Sequence, residues 1–289
     1  MDTYAIGDLS VHRIGFGAMQ LPGRGVMGPP RDRAEELAVL RRAIELGVDH
    51  IDTAQYYGPD VSNELIRAAL HPYPDTLVLV TKVGSLRDAE GAWLPAQRPA
   101  QLREAVEDNL RSLGVERLGA VNLRLMDHPA ADPAQRVPLE DQLGELAALR
   151  AEGKLAGIGI STASSAQVEA ADDLVGIACV QNAFSLLDRS DADVLELCHQ
   201  RGIAYVPYFP LGSAFPHTPK VTEDETVRAV ATRHGVTPAQ VGLAWLLGHR
   251  ENILLIPGTS RVVHLEENLR AADVALTAAD LAELAATQA

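Results

Sequence analysis

Short runs of aliphatic and β-branched residues alternate with amphipathic stretches along the whole chain, and this alternation most limits what it can fold into. Residues 48–53, 77–82, 120–125, 155–160, 177–181, 203–207 and 253–256 read as buried parallel strands, and 14–17 supply an eighth. Helical patterns over 33–46, 63–70, 102–113, 139–152, 166–172 and 191–201 lie between them. Thr237-Pro238 marks a further helix start, threonine as cap and proline in the first turn. Eight strands each followed by a helix specify an α/β fold, a single (β/α)8 or TIM barrel. A doubly wound sheet is the rival, but 289 residues in that form would more naturally break into two domains. No linker, low-complexity tract or repeat interrupts the pattern, so residues 1–289 are expected to form one domain.

Two additions to a bare barrel are visible. Residues 3–6 and 11–14 flank the turn signal Gly7-Asp8, which predicts an N-terminal β-hairpin closing the barrel bottom. The stretch 85–99 is long, carries Trp93, and is expected to lie over the mouth where barrel enzymes build their sites. Residues 212–220 form a second candidate lid.

Composition narrows the function classes. At 47% hydrophobic the chain can bury a large core. A net charge of -14 argues against nucleic acid or an anionic membrane as partner, since both need clustered cations. No stretch is apolar and long enough to span a bilayer, and Met1-Asp2-Thr3 does not open a signal peptide. Cys179 and Cys198 make no disulfide framework, so a cytoplasmic location is expected. The nine histidines show no ligand-like pairing, and no metal is expected. Gly23-Arg-Gly25-Val-Met-Gly28 matches the dinucleotide pattern G-x-G-x-x-G, but Pro29-Pro30 follows at once where a helix is required. A loop after the first strand is the better reading.

Asp52 and Lys82 fall at the carboxyl ends of predicted strands, and Tyr57 follows Asp52 by five residues on the loop leaving its strand. Taken singly, these would be a turn cap, a surface ion pair and a packing aromatic. Together they can do acid catalysis. A tyrosine becomes a better acid when a cation stabilises its phenolate, and an aspartate fixes the lysine that supplies the cation.

Four segments, Asp52–Gly58 (D-T-A-Q-Y-Y-G), Val80–Gly84 (V-T-K-V-G), Gln181-Asn182 and Ile256–Thr259 (I-P-G-T), resemble the aldo-keto reductase family. The resemblance covers nearly all of the chain. It implies reduction of a small carbonyl compound by NADPH, with Tyr57 as general acid and Asp52 and Lys82 as its support. The family usually carries a histidine at the end of the fourth strand. Counted without gaps from Leu113-Gly114-Val115-Glu116, Arg124 stands there, and His128 lies four residues further on. Arginine stays charged and can polarise a carbonyl oxygen, but it cannot shuttle a proton near neutral pH. Arg124 is therefore expected to orient substrate while Tyr57 alone delivers the proton. The alternative is a structural residue of the barrel mouth.

The resemblance also implies a coenzyme site. Ser161, Thr162 and Gln181 would meet the nicotinamide carboxamide, Tyr208 would stack on its ring, and Leu211, Gly212 and Ser213 would meet the pyrophosphate. Gly17, Ala18 and Met19 would line the same site beside Asp52. Gly258, Thr259, Ser260, Arg261, His264, Glu267 and Asn268 would form the adenosine clamp. Gly258 replaces the lysine of the common I-P-K-S, so Ser260 and Arg261 would hold the 2′-phosphate, and NADPH is expected over NADH. Trp93, Met126, His128 and Phe215 are the expected substrate residues. The strings Gly17-Ala-Met-Gln20, Gly28-Pro-Pro-Arg-Asp-Arg33, Val121-Asn-Leu-Arg124, Val180-Gln-Asn182 and Leu255-Ile-Pro-Gly-Thr-Ser260 look like a bacterial branch that converts pyridoxal to pyridoxine. Such a slot would accept other aromatic aldehydes. A different class, an NADPH-sensing regulatory module, would tolerate the change at Arg124 but has less need of an intact Asp52, Tyr57 and Lys82. A monomer or weak homo-oligomer is expected.

Overall fold

In the computed structural model, residues 2–126, 136–212 and 219–287 are described. Three expected site residues, His128, Ser213 and Phe215, lie outside them. The chain opens with β1 (Thr3–Ile6) and β2 (Leu9–His12), paired antiparallel with Thr3 opposite His12. Gly7 makes the turn at φ +59°, a left-handed geometry that suits glycine. Ile6 and Val11 are buried against Val78 and Ala178 at the base of the barrel interior. This is the closing hairpin that the sequence predicts.

The staves follow as β3 (Phe16–Gly17), β4 (His50–Asp52), β5 (Val78–Arg87), then, after β6 (Trp93–Ala96), β7 (Leu118–Arg124), β8 (Leu155–Ser161), β9 (Cys179–Gln181) and β10 (Ala204–Tyr205). They pair in parallel in the order β3-β4-β5-β7-β8-β9-β10. Residues 253–255 close the ring through parallel bridges from Ile253 to Tyr205 and from Leu255 to Ile14. The backbone N–H of Gly15 donates to Leu255 O and that of Leu254 to Tyr205 O, at 2.8 and 2.9 Å. The expected last strand is thus present as a bridged stretch rather than a full ladder.

Alternation along each strand sorts the core into two parts. Val78, Val80, Ala120, Cys179, Ala204 and Leu254 fill the interior. Leu79, Val83, Val121, Leu123, Ile158, Ile160 and Val180 face outward into the layer covered by helices. Those helices are α1 (Arg33–Glu45), α2 (Val61–Leu70), α3 (Pro99–Leu113), α4 (Leu139–Ala151), α5 (Ser165–Val175), α6 (Ala192–Arg201), α7 (Glu225–His234), α8 (Pro238–His249), α9 (Val262–Leu269) and α10 (Ala278–Ala285). Thr237 caps α8 as expected, its hydroxyl accepting from Gln240 N while Gln240 reaches back to Thr237 N.

The stretch 85–99 has a form the sequence does not reveal: β5 continues to Arg87, and β6 returns antiparallel, setting Arg87 opposite Trp93 and Gly84 opposite Ala96. Asp88 makes the turn, its Oδ1 accepting from Ala92 N at 2.7 Å. Gly84 hid this extension, because glycine ordinarily weakens a strand. Here it sits at φ +93°, where a Cβ would come within 2.7 Å of Arg124 O.

A polar patch interrupts the apolar layer behind the carboxyl ends of β4 and β5. Thr53, Asn63, Thr81 and Asn109 are fully buried. Thr53 Oγ1 donates to Asn63 Oδ1 (2.9 Å), Asn63 Nδ2 to Asn109 Oδ1 (3.1 Å), and Thr81 Oγ1 to Asn109 Oδ1 (2.6 Å). The patch locks both strands to α2 and α3 one residue away from Asp52 and Lys82. Asn109→Ala strips Thr81 of its acceptor and should lower unfolding free energy by about 2 kcal/mol, the penalty for a buried group left unpaired. A urea midpoint equal to that of the parent protein would contradict this.

Candidate active site

Asp52 ends β4 opposite Val80, and Lys82 lies two residues further along β5, so both side chains enter the barrel mouth. Each side chain is 5% exposed. Lys82 Nζ makes a short hydrogen-bonded ion pair with Asp52 Oδ1 and donates a second bond to Thr53 O at 3.1 Å. Burial opposes the ammonium charge, but the Asp52 carboxylate and then Tyr57 outweigh it, so the Lys82 pKa is held above its ordinary value. The same Nζ lies 5.2 Å from the centre of the Tyr57 ring. Tyr57 is buried on a tight loop, its N–H bonded to Ala54 O and its carbonyl accepting from Ser62 N. The loop 23–28 braces it from outside, with Gly28 N donating to Gly58 O and Gly58 N to Val26 O. That is the work of the G-x-G-x-x-G string, which forms a short 3-10 turn and no strand-to-helix phosphate loop.

Asp52 has a second partner across the barrel, Gln181 Nε2, which donates to Oδ2 at 3.0 Å. Gln181 Oε1 is buried with no partner. Ser161 stands beside Gln181 in register and is buried as well. A hydrogen-bond acceptor left open on the floor of the mouth fits a carboxamide N–H of a nicotinamide.

A cleft runs from this floor past Gly17, Met19, Tyr57, Tyr208, Leu211, Gly212, Gly258 and Asn268. A second cleft shares Met19 and Gly212 with it and continues to Ser260 and Arg261. The two together make a groove suited to an elongated ligand with one end on Asp52, Lys82 and Gln181 and an anionic end by Arg261. Gln20 and Phe209 line both clefts and were not anticipated from sequence. Phe209 sits at φ +55° and its ring meets Tyr208 edge-on at 5.0 Å. Asn182 was also missed as a support: its amide holds both the N–H and the carbonyl of Ala163 at the turn after β8.

Other expected coenzyme residues stand apart. Glu267 lines a separate groove with Thr237, Gln240 and Arg270, because its place on α9 turns it away while the next residue, Asn268, faces the cleft. His264 is exposed on α9. Ala18 is buried, and its carbonyl accepts from Ser62 Oγ. Thr259 turns inward, its hydroxyl accepting from Arg261 N at 3.1 Å. Thr162 is exposed at φ +62°, a left-handed backbone that a β-branched side chain adopts only under strain. Gly258 has a steric reason: a Cβ there would lie 2.6 Å from Gly17 O, where the first and last staves meet.

The mouth beyond Tyr57 is cationic. Arg124 ends β7 level with Ser161, donates from Nη1 to Ser85 Oγ at 3.0 Å, and lies 4.4 Å from the Trp93 ring centre. Its charge reaches Lys82. Met126 is half-buried just past it.

This constellation is that of a carbonyl oxidoreductase built on a barrel, and comparison with known proteins agrees. The sequence profile described as Aldo/keto reductase family matches residues 13–289, and the chain belongs to that family. It is 48% identical to Escherichia coli (strain K12) pyridoxine 4-dehydrogenase over 270 residues, 93% of this chain and 92% of the relative. A thermostable aldo-keto reductase in complex with the inhibitor epalrestat superposes with a TM-score of 0.82 at 28% identity, covering 99% of both chains. A Klebsiella pneumoniae aldo/keto reductase in complex with NADP and acetate gives 0.79 at 27% identity over 98% of this chain and 93% of that one.

Glu36 lines the second cleft, and its Oε2 is buried without a partner. Burial, then Glu35 and Asp32, push its carboxyl up to about 7. The folded form therefore holds this proton more tightly than the unfolded chain does. Stability is undiminished below the unfolded pKa and is lost as pH rises from there through 7. Glu36→Gln should raise Tm at pH 8 and have little effect at pH 4. An equal effect at both pH values would refute the assignment.

Proposed function

We propose that this chain reduces pyridoxal to pyridoxine with NADPH, Tyr57 giving the proton. The observation that carries the reading is the Lys82 ammonium, fixed by Asp52, lying 5.2 Å from the Tyr57 ring at one end of the long groove. When bound, the coenzyme supplies hydride to the carbonyl carbon. Tyr57 protonates the oxygen, and Lys82 stabilises the phenolate that remains. Arg124 is a fixed cation and donor beside that oxygen, so it lowers the charge developing there without exchanging a proton. Gln181 and Ser161 orient the carboxamide, and Tyr208 with Gly212 flanks the ring and pyrophosphate. Pyridoxal as substrate rests on the 48% identity to the Escherichia coli enzyme and on the cationic, tryptophan-walled mouth. The enzyme would act as a single domain, monomeric or weakly self-associating, in the cytoplasm.

A general aromatic-aldehyde reductase is the nearest rival. Tyr57→Phe should cut kcat for pyridoxal by about 10²–10⁴-fold, the usual worth of a positioned general acid. An unimpaired variant would end the mechanism. If the parent protein turns over nitrobenzaldehyde but not pyridoxal, the reductase survives and the substrate does not. A coenzyme-sensing module would show tight NADPH binding and negligible turnover with every aldehyde.

Arg261 and Ser260, at the far end of the groove, are proposed to hold the 2′-phosphate in place of the lysine that Gly258 excludes. Arg261→Ala should raise Kd for NADPH about tenfold, a charge-assisted bond's worth, while leaving Kd for NADH unmoved. Fluorescence titration that finds equal losses for both coenzymes would reject this role.

A further inference from the structure

Trp93 carries two guanidiniums. Arg87, its cross-strand partner, has its guanidinium carbon 4.3 Å from the indole centre, and Arg124, arriving from β7, lies at 4.4 Å. Neither makes an ion pair with a carboxylate among the described residues. Arg124 donates to the neutral Ser85 hydroxyl. Arg87 donates from Nη1 to the carbonyls of Gly25 and Val26 at 3.2 Å each, and its Nε is buried without a partner. Burial, followed by the charge of Arg124, pulls the Arg87 pKa below the ordinary range, with Tyr57 acting in the opposite direction.

This arrangement is costly if its purpose is only to staple the β5–β6 hairpin over the barrel. Neutral donors would reach the same carbonyls and the same serine without setting like charges on one ring. An anion within reach of both guanidiniums would offset that repulsion. Arg87 holds the Val26 carbonyl that also accepts from Gly58 N, the residue after Tyr57, which says where such an anion belongs: on the molecule whose carbonyl Tyr57 protonates.

We propose that Arg87 and Arg124, held on Trp93, form an anion-recognition wall that selects aromatic aldehydes carrying an ionised oxygen on the ring. The proposal rests on the aldehyde-reductase reading above and narrows its substrate class. A phenolate beside the aldehyde, as in pyridoxal, and a ring carboxylate present the same chemistry to a guanidinium fork. Arg87 acts here as a specificity residue, and the ratio of kcat/KM for an anionic and a matched neutral substrate reports on it.

Two substrate pairs separate the sources: 4-carboxybenzaldehyde against its methyl ester, and pyridoxal against pyridine-4-carbaldehyde. The parent protein should favour the anionic member of at least one pair by about tenfold, the worth of one charge-assisted bond. The carboxylate pair reads carboxylate recognition and the pyridoxal pair reads phenolate recognition. Arg87→Met should bring the ratio to about one through KM, and Arg87→Lys should restore part of it. A ratio near one for both pairs in the parent protein, or a preference that survives Arg87→Met, overturns the proposal. Because Arg87 also braces residues 24–26, the parent protein with NADP+ provides a check free of mutation. Benzoate should inhibit at about one-tenth the concentration of benzamide, and equal inhibition overturns the proposal as well. If neutral and anionic aldehydes alike go unreduced, the reductase reading itself fails and takes this one with it.

Discussion

The Asp52–Lys82 ion pair, sealed inside the barrel mouth, is the interaction on which the rest of the site depends. Two charges out of water are each penalised by several kcal/mol, and the pair persists only where every remaining donor and acceptor is satisfied. Further partners supply much of this: Lys82 also donates to Thr53 O, and Asp52 also accepts from Gln181. The pair therefore ties β4, β5 and β9 together across the interior, and it aims an ammonium at Tyr57. Removing either partner would leave a buried charge uncompensated, so the same contact serves stability and chemistry.

The pair is possible only in one register. Side chains alternate along a strand, and a slip of one residue in β5 would turn Lys82 outward and Thr81 inward. The outer face guards against that slip. Thr81 and Thr53, the outward neighbours of Lys82 and Asp52, bond into the Asn63–Asn109 patch and so to α2 and α3. Buried polar groups that satisfy one another specify a single arrangement in a way that interchangeable aliphatic contacts do not. The inner charges are those proposed to do the chemistry, and the outer amides hold their address.

Much of this was legible from residue order because it follows from short-range rules. Eight aliphatic runs separated by amphipathic stretches, a hairpin signal at Gly7-Asp8, and the spacing of Asp52, Tyr57 and Lys82 all depend on local patterning. What escaped depends on contacts between distant segments. The β5–β6 hairpin was hidden by Gly84, whose positive φ answers to Arg124 forty residues on. Arg87 gains meaning from Trp93 across the hairpin and from Arg124 on a neighbouring stave. Glu267 and Asn268 are adjacent in sequence, yet helix geometry sends them into different grooves. Gly258 in place of lysine looks like a lost contact until the Gly17 carbonyl is seen 2.6 Å from where a side chain would start.

These departures share an electrostatic consequence. The chain carries a net charge of -14, which at long range repels an anionic coenzyme and would repel the anionic substrate proposed above. Salt screens that repulsion beyond roughly 8–10 Å, so local charge decides what binds. Inside the mouth the balance reverses, with Lys82 paired to Asp52 and Arg87 and Arg124 gathered on the Trp93 ring. A histidine at the Arg124 position would lose its charge as pH rises past its pKa. Arginine does not, so in the proposed mechanism the field across the carbonyl would stay positive through the physiological range and would stabilise negative charge growing on oxygen before the proton arrives. The proposed proton source is then Tyr57 alone, and its readiness to act would depend on the Lys82 ammonium 5.2 Å from its ring centre.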